Sequence, residues 1–319
     1  MSRQSPVPTG PPTPLGALLH AVQSGTYRPG PLWRRSRAKP DGGVRVLGIP
    51  PLADRVVQLA LLDLVTTLAD ARLSPNVHGY RRGRSPQTAI RQLLSARAPV
   101  LGVVQADITE MFDSLPHALV RQAALGAIPG DRWAWLLDRW LAAWATAPGV
   151  GLPQGAPLSP LLANLTLSLA LDQHLDGATP RGARAPPSAA GRLSAARATI
   201  HAALAGRGVA APWPTSRASA PAVSPRLLTW VRYGDDLVLL CDEPDGAPRA
   251  LGWLDGLARA ARLRLSSKKT ACSAAREGQP LPRPVLGVSL RFTRSRGRWG
   301  LCPAEAAWSP APPDPLWSL

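Results

Sequence analysis

The sequence predicts an α+β protein, long enough to bury a substantial core as one large domain or two medium ones. Two observations carry that prediction. Apolar, β-rich runs at 44–49, 100–107 and 227–240 are bounded by Gly, Pro, Asp or Ser. Longer stretches within 54–65, 117–145, 160–175 and 248–262 read as helices, the first with its apolar residues at helical spacing. No internal repeat is visible.

In chain order, residues 1–31 form a Pro-rich leader with a short helix around Leu15–Val22. Residues 32–102 begin with the basic segment Arg34-Arg35-Ser-Arg37-Ala-Lys39, followed by an Asp41-Gly-Gly43 turn and a strand over Val44–Ile49. Asp54 then suits the N-cap of a helix whose apolar face runs through Val57, Leu61, Leu64 and Val65. Residues 103–176 carry a strand ending at Asp107, helices around 117–145, and a Gly-rich turn at 149–157 that opens the next helix.

Residues 177–226 contain no Asp or Glu and are dense in Ala, Pro, Ser and Arg. They read either as a disordered basic insertion or as a mobile one with a short helix near Ser194–Leu204. Residues 227–292 return to ordered patterning: a strand, an abrupt Tyr233-Gly-Asp-Asp236 turn, a second strand, and a helix over about 248–262. A strand pair is expected at 263–268 and 285–292, before a Pro/Trp-rich tail at 293–319.

Composition limits the classes. With 45% hydrophobic residues the chain suits a globular protein. No apolar run approaches the roughly 18 residues of a membrane span, and the start lacks a signal-peptide core. The expectation is a cytoplasmic protein with no membrane partner. Cys241, Cys272 and Cys302 are widely spaced with no CxxC pair, so they read as reduced thiols. Lys and Arg number 37 against 20 Asp and Glu, a net charge of +17 that favours polyanions such as nucleic acid. A solubilising surface in an Arg-biased chain would show the same excess.

The chemistry turns on acids stranded among apolar residues. Two β-rich runs flank the turn bearing Asp235 and Asp236, which describes a hairpin with adjacent carboxylates at its tip. Such carboxylates repel each other, so a bound cation explains them; an ordinary Asx turn is the plain alternative. Asp107 ends another apolar run, Val100–Asp107. If both strands lie in one sheet, the acids share a pocket suited to two Mg²⁺ ions about 4 Å apart, a clamp for phosphoryl transfer. Hard oxygen ligands with no His or Cys nearby favour Mg²⁺ over zinc.

An ordered set of motifs spans residues 44–290. It comprises Arg45-Val-Leu-Gly-Ile-Pro50, Asp54-Arg-Val-Val-Gln58, Gly79-Tyr-Arg-Arg-Gly-Arg-Ser85, and Asp107-Ile-Thr-Glu-Met-Phe-Asp-Ser-Leu-Pro-His117. It continues through Gly151-Leu-Pro-Gln-Gly-Ala-Pro-Leu-Ser-Pro-Leu-Leu-Ala-Asn164, Tyr233-Gly-Asp-Asp236, Leu265-Ser-Ser-Lys-Lys-Thr270 and Leu286-Gly-Val288. With these the sequence resembles the reverse transcriptase family, most closely the bacterial group II intron type.

The resemblance implies a right-hand polymerase with fingers and a palm of antiparallel strands backed by helices. The tail after Leu290 is short and Pro-rich, so a reduced or missing thumb is expected. The implied activity is RNA-directed DNA synthesis from dNTPs on an RNA template with a DNA or RNA primer. The implied cofactor is a pair of Mg²⁺ ions, with Mn²⁺ as a substitute. Asp107 and Asp235 would hold the metals, with the Ile108 carbonyl contributing and Asp236 as ligand or electrostatic support.

Phe112 falls where the family places its aromatic steric gate, which rejects a ribose 2′-hydroxyl; a core Phe is the alternative. Gln154 would touch the nucleotide or template. Lys269, rather than its neighbour Lys268, would serve the leaving pyrophosphate. Arg45 and Arg55 are triphosphate-clamp candidates or plain surface cations. Arg81, Arg82 and Arg84 would grip the template backbone. Trp133, Leu137, Trp140 and Trp144 share a helical face and read as core, while His117 caps or packs. Trp299, Trp308 and Trp317 either stack bases or pack on the palm.

Gly234 stands where group II enzymes usually carry Ala. A dedicated RNA in phage defence or a CRISPR system, and a partner protein supplying the thumb, are further expectations. The alternative from a different class is a noncatalytic RNA-binding or splicing cofactor that keeps the polymerase shape.

Overall fold

A computed structural model describes residues 15–38, 42–128, 130–180 and 225–304. The expected helix near 194–204, most of the 177–226 segment, Trp308 and Trp317 lie outside the described residues. Helix α1 (Leu15–Ser24) begins the described chain, and a hairpin of β1 (Trp33–Ala38) and β2 (Val44–Ile49) follows. The basic segment at 34–37 is therefore strand, where sequence patterning marked only charge. Its pairing with β2, in register from Trp33↔Ile49 to Ala38↔Val44, decides its conformation.

Helix α2 (Leu52–Asp70) starts behind Pro51 without a side-chain cap. Asp54 is not the N-cap that its residue type suggested. It lies in the first turn, buried, and accepts from the Tyr27 hydroxyl at 2.6 Å and the Gly30 amide at 2.8 Å. Trp140 and Trp144 donate their indole N–H groups to the Tyr27 hydroxyl and the Gly30 carbonyl, both at 3.0 Å. The 27–30 strap is thus tied to two helices, and the tryptophan face of α6 (Asp131–Trp144) is core. Of the expected apolar face of α2, Val65 is buried and Leu64 is 59% exposed.

A four-stranded antiparallel sheet in the order β4-β5-β3-β6 forms the centre. It contains β3 (Gly102–Asp107), β4 (Thr229–Tyr233), β5 (Asp236–Cys241) and β6 (Ala271–Ala274). Every residue of β3 is buried, because both sheet faces are covered. The pleat sends Val104, Ala106, Leu237 and Leu239 into the larger core. That core also takes α5 (His117–Ala127), α6, α7 (Ser159–Leu167) and α9 (Gly246–Ala260). Val103, Val238 and Leu240 face a second core with Ile90 of α3 (Pro86–Leu94) and Phe292. Each such aliphatic side chain contributes roughly 1.5–3 kcal/mol on burial. Ser85 caps α3 in a capping box with Thr88, an arrangement worth about 1 kcal/mol.

The single helix expected at 160–175 is α7, a π-helical turn at Ser168–Asp172, and α8 (Gln173–Gly177). One short helix, α4 (Met111–Ser114), and the break between α5 and α6 complete the path to it. The strand pair expected at 263–268 and 285–292 does not form. Leu265 makes only an isolated bridge with Ile108, and residues 266–270 turn back on themselves through the Thr270 amide to the Ser266 carbonyl. The strand comes later, as β6 on β3, while β7 (Leu290–Ser295) pairs with β8 (Arg298–Pro303). Trp299 in β8 packs partly buried against the second core. No helix among the described residues is long and apolar enough to cross a membrane.

Candidate active site

Strands β4 and β5 are joined through Gly234 and Asp235, with Tyr233 paired to Asp236. Gly234 has φ +65°, which places the left-handed residue first in the turn and suits glycine. Asp107, the last residue of β3, stands directly opposite Asp236, and the Ile108 amide donates to the Asp235 carbonyl at 3.1 Å. Asp107 and the adjacent Asp235 and Asp236, more than a hundred residues further along the chain, therefore meet at one end of the sheet.

Their electrostatics follow from burial. The Asp235 carboxyl is raised from its ordinary value by burial first and by the Asp107 charge second. Asp236 is pushed up to about 6 by burial and then by Asp235 and Asp107. The Lys269 ammonium lies 3.0 Å from the Asp107 carboxylate, and that hydrogen bond raises its pKa. The Thr270 hydroxyl accepts from the Asp107 amide at 3.4 Å.

A cleft of about 540 Å³ opens beside these groups. Asp107, Ile108, Phe112, Gln154, Asp235 and Lys269 line it from the sheet side, and Arg34, Arg45 and Val46 line it from the β1–β2 hairpin. Lys268 does not line it. Asp236 lines a small adjoining cavity of about 20 Å³ with Tyr233 and Arg283, whose positive charge acts on it. Gln154 is held at both ends. Its side-chain amide donates to Asp113 at 2.8 Å, and its carbonyl accepts from the Gly48 amide at 2.8 Å, joining the hairpin to the loop. His117 sits at the start of α5 with its ring nitrogen 2.8 Å from the Gly151 carbonyl, and so packs this loop.

Other candidates fall elsewhere. Arg55 is half-buried and does not line the cleft. Arg81 is not available to a template: its side chain is 5% exposed, and it is bonded to the Asp70 carboxylate and the Ser74 and Val77 carbonyls. A guanidinium with its donors so engaged inside the protein holds the loop rather than a phosphate. Arg82 is exposed and Arg84 half-buried, outside the cleft lining.

Sequence reasoning passed over Tyr80, Arg34, Glu110 and Asp113, all of which line the cleft. Tyr80 is the one aromatic of the Gly79–Ser85 motif, and that was its only signal in the sequence. Glu110 carries a left-handed φ of +46°, invisible in its residue type.

The donor set suits a hard divalent cation. No thiol or imidazole lines the cleft, and burial and the Asp107 charge raise the Asp235 carboxyl, a penalty that a bound cation would relieve. Among the described residues no group of three or more His, Cys, Asp and Glu side chains converges as a ready metal site. Mg²⁺ does not require one, since it keeps waters and is completed by substrate phosphates.

Known proteins resemble this chain in sequence and in fold. The family described as reverse transcriptase (RNA-dependent DNA polymerase) matches residues 37–290. Protein YkfC of Escherichia coli is 33% identical over 172 residues, 50% of this chain and 45% of that protein. The group II intron-encoded protein LtrA of Lactococcus lactis is 29% identical over 157 residues, 47% of this chain and 26% of that protein. The alignments thus span less than half the length of these curated relatives. A solved structure of apo telomerase from Candida tropicalis, truncated from its C-terminal domain, superimposes with a TM-score of 0.50 at 12% identity. That superposition covers 85% of this chain and 57% of the other, and it speaks for the fold alone.

Proposed function

This chain belongs to the reverse transcriptase (RNA-dependent DNA polymerase) family, and we propose on that premise that it extends a primer with dNTPs on an RNA template. The observation that supports this most is the register of Asp107 against Asp236, with Asp235 and Lys269 at the same cleft. A purely binding role gives no reason for acids that repel RNA to gather there.

In this reading a DNA or RNA primer 3′-hydroxyl attacks the α-phosphorus of the incoming dNTP, and pyrophosphate leaves. Asp107 and Asp235 would hold Mg²⁺, with Asp236 supporting them through its charge. Two bound Mg²⁺ ions would polarise the attacking and leaving oxygens. Lys269 would neutralise or protonate the departing pyrophosphate. Arg45 and Arg34, from the hairpin, suit the triphosphate. Phe112, Gln154 and Asp113 would position sugar and base. The net charge of +17 suits long nucleic-acid partners.

The test is primer extension on an RNA template with Mg²⁺ and dNTPs, comparing the unaltered chain with Asp235→Ala. Extension by the first and none by the second is expected. Equal extension by both would refute the metal assignment. No extension by either, with RNA still bound, would favour the splicing-cofactor reading. A dedicated RNA for phage defence or a CRISPR system belongs to the same proposal. Recovery of one dominant RNA species with the chain from its native cells supports it, and a random RNA sample opposes it.

A further inference from the structure

Tyr80 holds a backbone conformation that a bulky residue rarely adopts, with φ +57°. Such strain persists only where the surroundings over-determine it, and it gathers at ligand sites. Here the surroundings can be named. Gly79 is pressed so closely on the acidic turn that a Cβ would overlap the Gly234 nitrogen. The buried Asn164 amide donates to the Gly79 carbonyl at 2.8 Å, and the His78 amide donates to the Arg232 carbonyl at 2.8 Å. The backbone so held lays the Tyr80 ring over Gly234, where an added methyl would stand 3.3 Å from Cε2.

The same ring meets Phe112, with centroids 6.0 Å apart and planes at 63°. That is the edge-to-face arrangement aromatic quadrupoles prefer. Both rings line the cleft with Asp107 and Asp235. Burial, and then the Asp235 charge, push the Tyr80 phenol up to about 12, so it stays neutral beside the acids.

We propose that Tyr80 is a specificity-determining residue, bracing the Phe112 ring where it tells a deoxyribose from a ribose. The inference rests on the nucleotidyl-transfer reading above. Phe112 is only half-buried, and the Tyr80 ring is one of the groups that touch it. Without the Tyr80 edge, the Phe112 ring can turn into the vacated space, and a displaced ring no longer excludes a 2′-hydroxyl. Gly234 completes the device by leaving room for the Tyr80 ring above the turn.

The test uses the full chain on an RNA template whose next base is uracil. Extension with dATP and with ATP is compared, and binding of each nucleotide is measured by calorimetry. Tyr80→Phe is expected to keep the deoxy preference. Tyr80→Leu, which keeps bulk over Gly234 without a ring edge, is expected to lower the dATP-over-ATP ratio by about tenfold, the order set by one aromatic pair. Combined with Phe112→Ala it should lower the ratio no further than Phe112→Ala alone.

An unchanged ratio in a Tyr80→Leu chain that still extends with dATP overturns the role of Tyr80 and leaves the polymerase reading standing. Neither extension nor dATP binding by the unaltered chain overturns both. Should Tyr80→Leu fail to fold, Gly234→Ala moves the same ring from beneath. A shifted ratio there supports the proposal, and an unshifted one overturns it.

Discussion

Arg232 and Asp172 grip each other inside the protein at 2.7 and 2.9 Å, and neither side chain has any exposed surface. Asp172 closes the π-helical turn, while the Arg232 guanidinium also donates to the Asn164 side chain at 2.9 Å and the Gly234 carbonyl at 3.1 Å. The acidic turn is therefore anchored through one cation to a helix behind the sheet. Replacing either partner leaves an uncompensated buried charge, so Asp172→Ala or Arg232→Ala should destabilise the fold by about 3–5 kcal/mol. Replacing both with apolar residues of similar volume should restore much of that loss. Denaturant unfolding of the three variants checks the order.

Gly79→Ala should be more harmful than its size suggests. The new methyl would overlap the Gly234 nitrogen, and both neighbours are backbone in a hydrogen-bonded corner. Overpacking of this kind costs about 1–3 kcal/mol. Primer extension should fall further than stability does, because the displaced atoms belong to the acidic turn. A variant with full activity and an unchanged melting temperature would contradict the contact.

Arg81 and Arg82 should behave oppositely although they are neighbours. Arg81→Gln breaks the contacts of a buried guanidinium with the half-exposed Asp70 carboxylate and with the Ser74 and Val77 carbonyls, and should lower stability by about 1–3 kcal/mol. Arg82 is exposed, so Arg82→Gln should leave stability nearly unchanged. If Arg82 meets phosphate, its loss should weaken RNA binding and reduce the salt slope by about one. Thermal melts and salt-titrated binding separate the two effects.

His78 should make the protein acid-sensitive. Burial holds its imidazole down to about 4, below its ordinary 6.5, with Thr88 and Gln92 on its two ring nitrogens. Between pH 6.5 and 4 the unfolded chain binds the proton that the folded chain refuses. Stability from this group is thus full above pH 6.5 and falls with pH through that window, reaching a loss of about 3 kcal/mol near pH 4. His78→Gln should flatten that part of the pH–stability profile.

The meeting of Asp107 with the 233–236 turn was suggested by patterning, since each acid interrupts an apolar run, and the family resemblance decided it. The tryptophan face of α6 was readable, as periodicity reports burial directly. What escaped was decided by partners distant in sequence. Asp54 looks like a helix cap until Tyr27 and Gly30 claim it. Arg81 looks like a phosphate ligand until Asp70 does. Strand β6, Ala271–Ala274, has weak strand formers and takes its shape from the edge of β3. The role of Tyr80 was hidden because the sign of φ is not written in residue type.

In the β1–β2 hairpin Arg37 and Arg45 are registered directly opposite each other. Like charges so placed work against the pairing of their strands. Ionic strength therefore acts on this hairpin in two opposed senses. Added salt quiets the quarrel between the two guanidinium groups, yet loosens any polyanion that lies across them. A bound strand would do locally what salt does globally, so the hairpin should be stiffest when loaded and slackest when bare in dilute buffer.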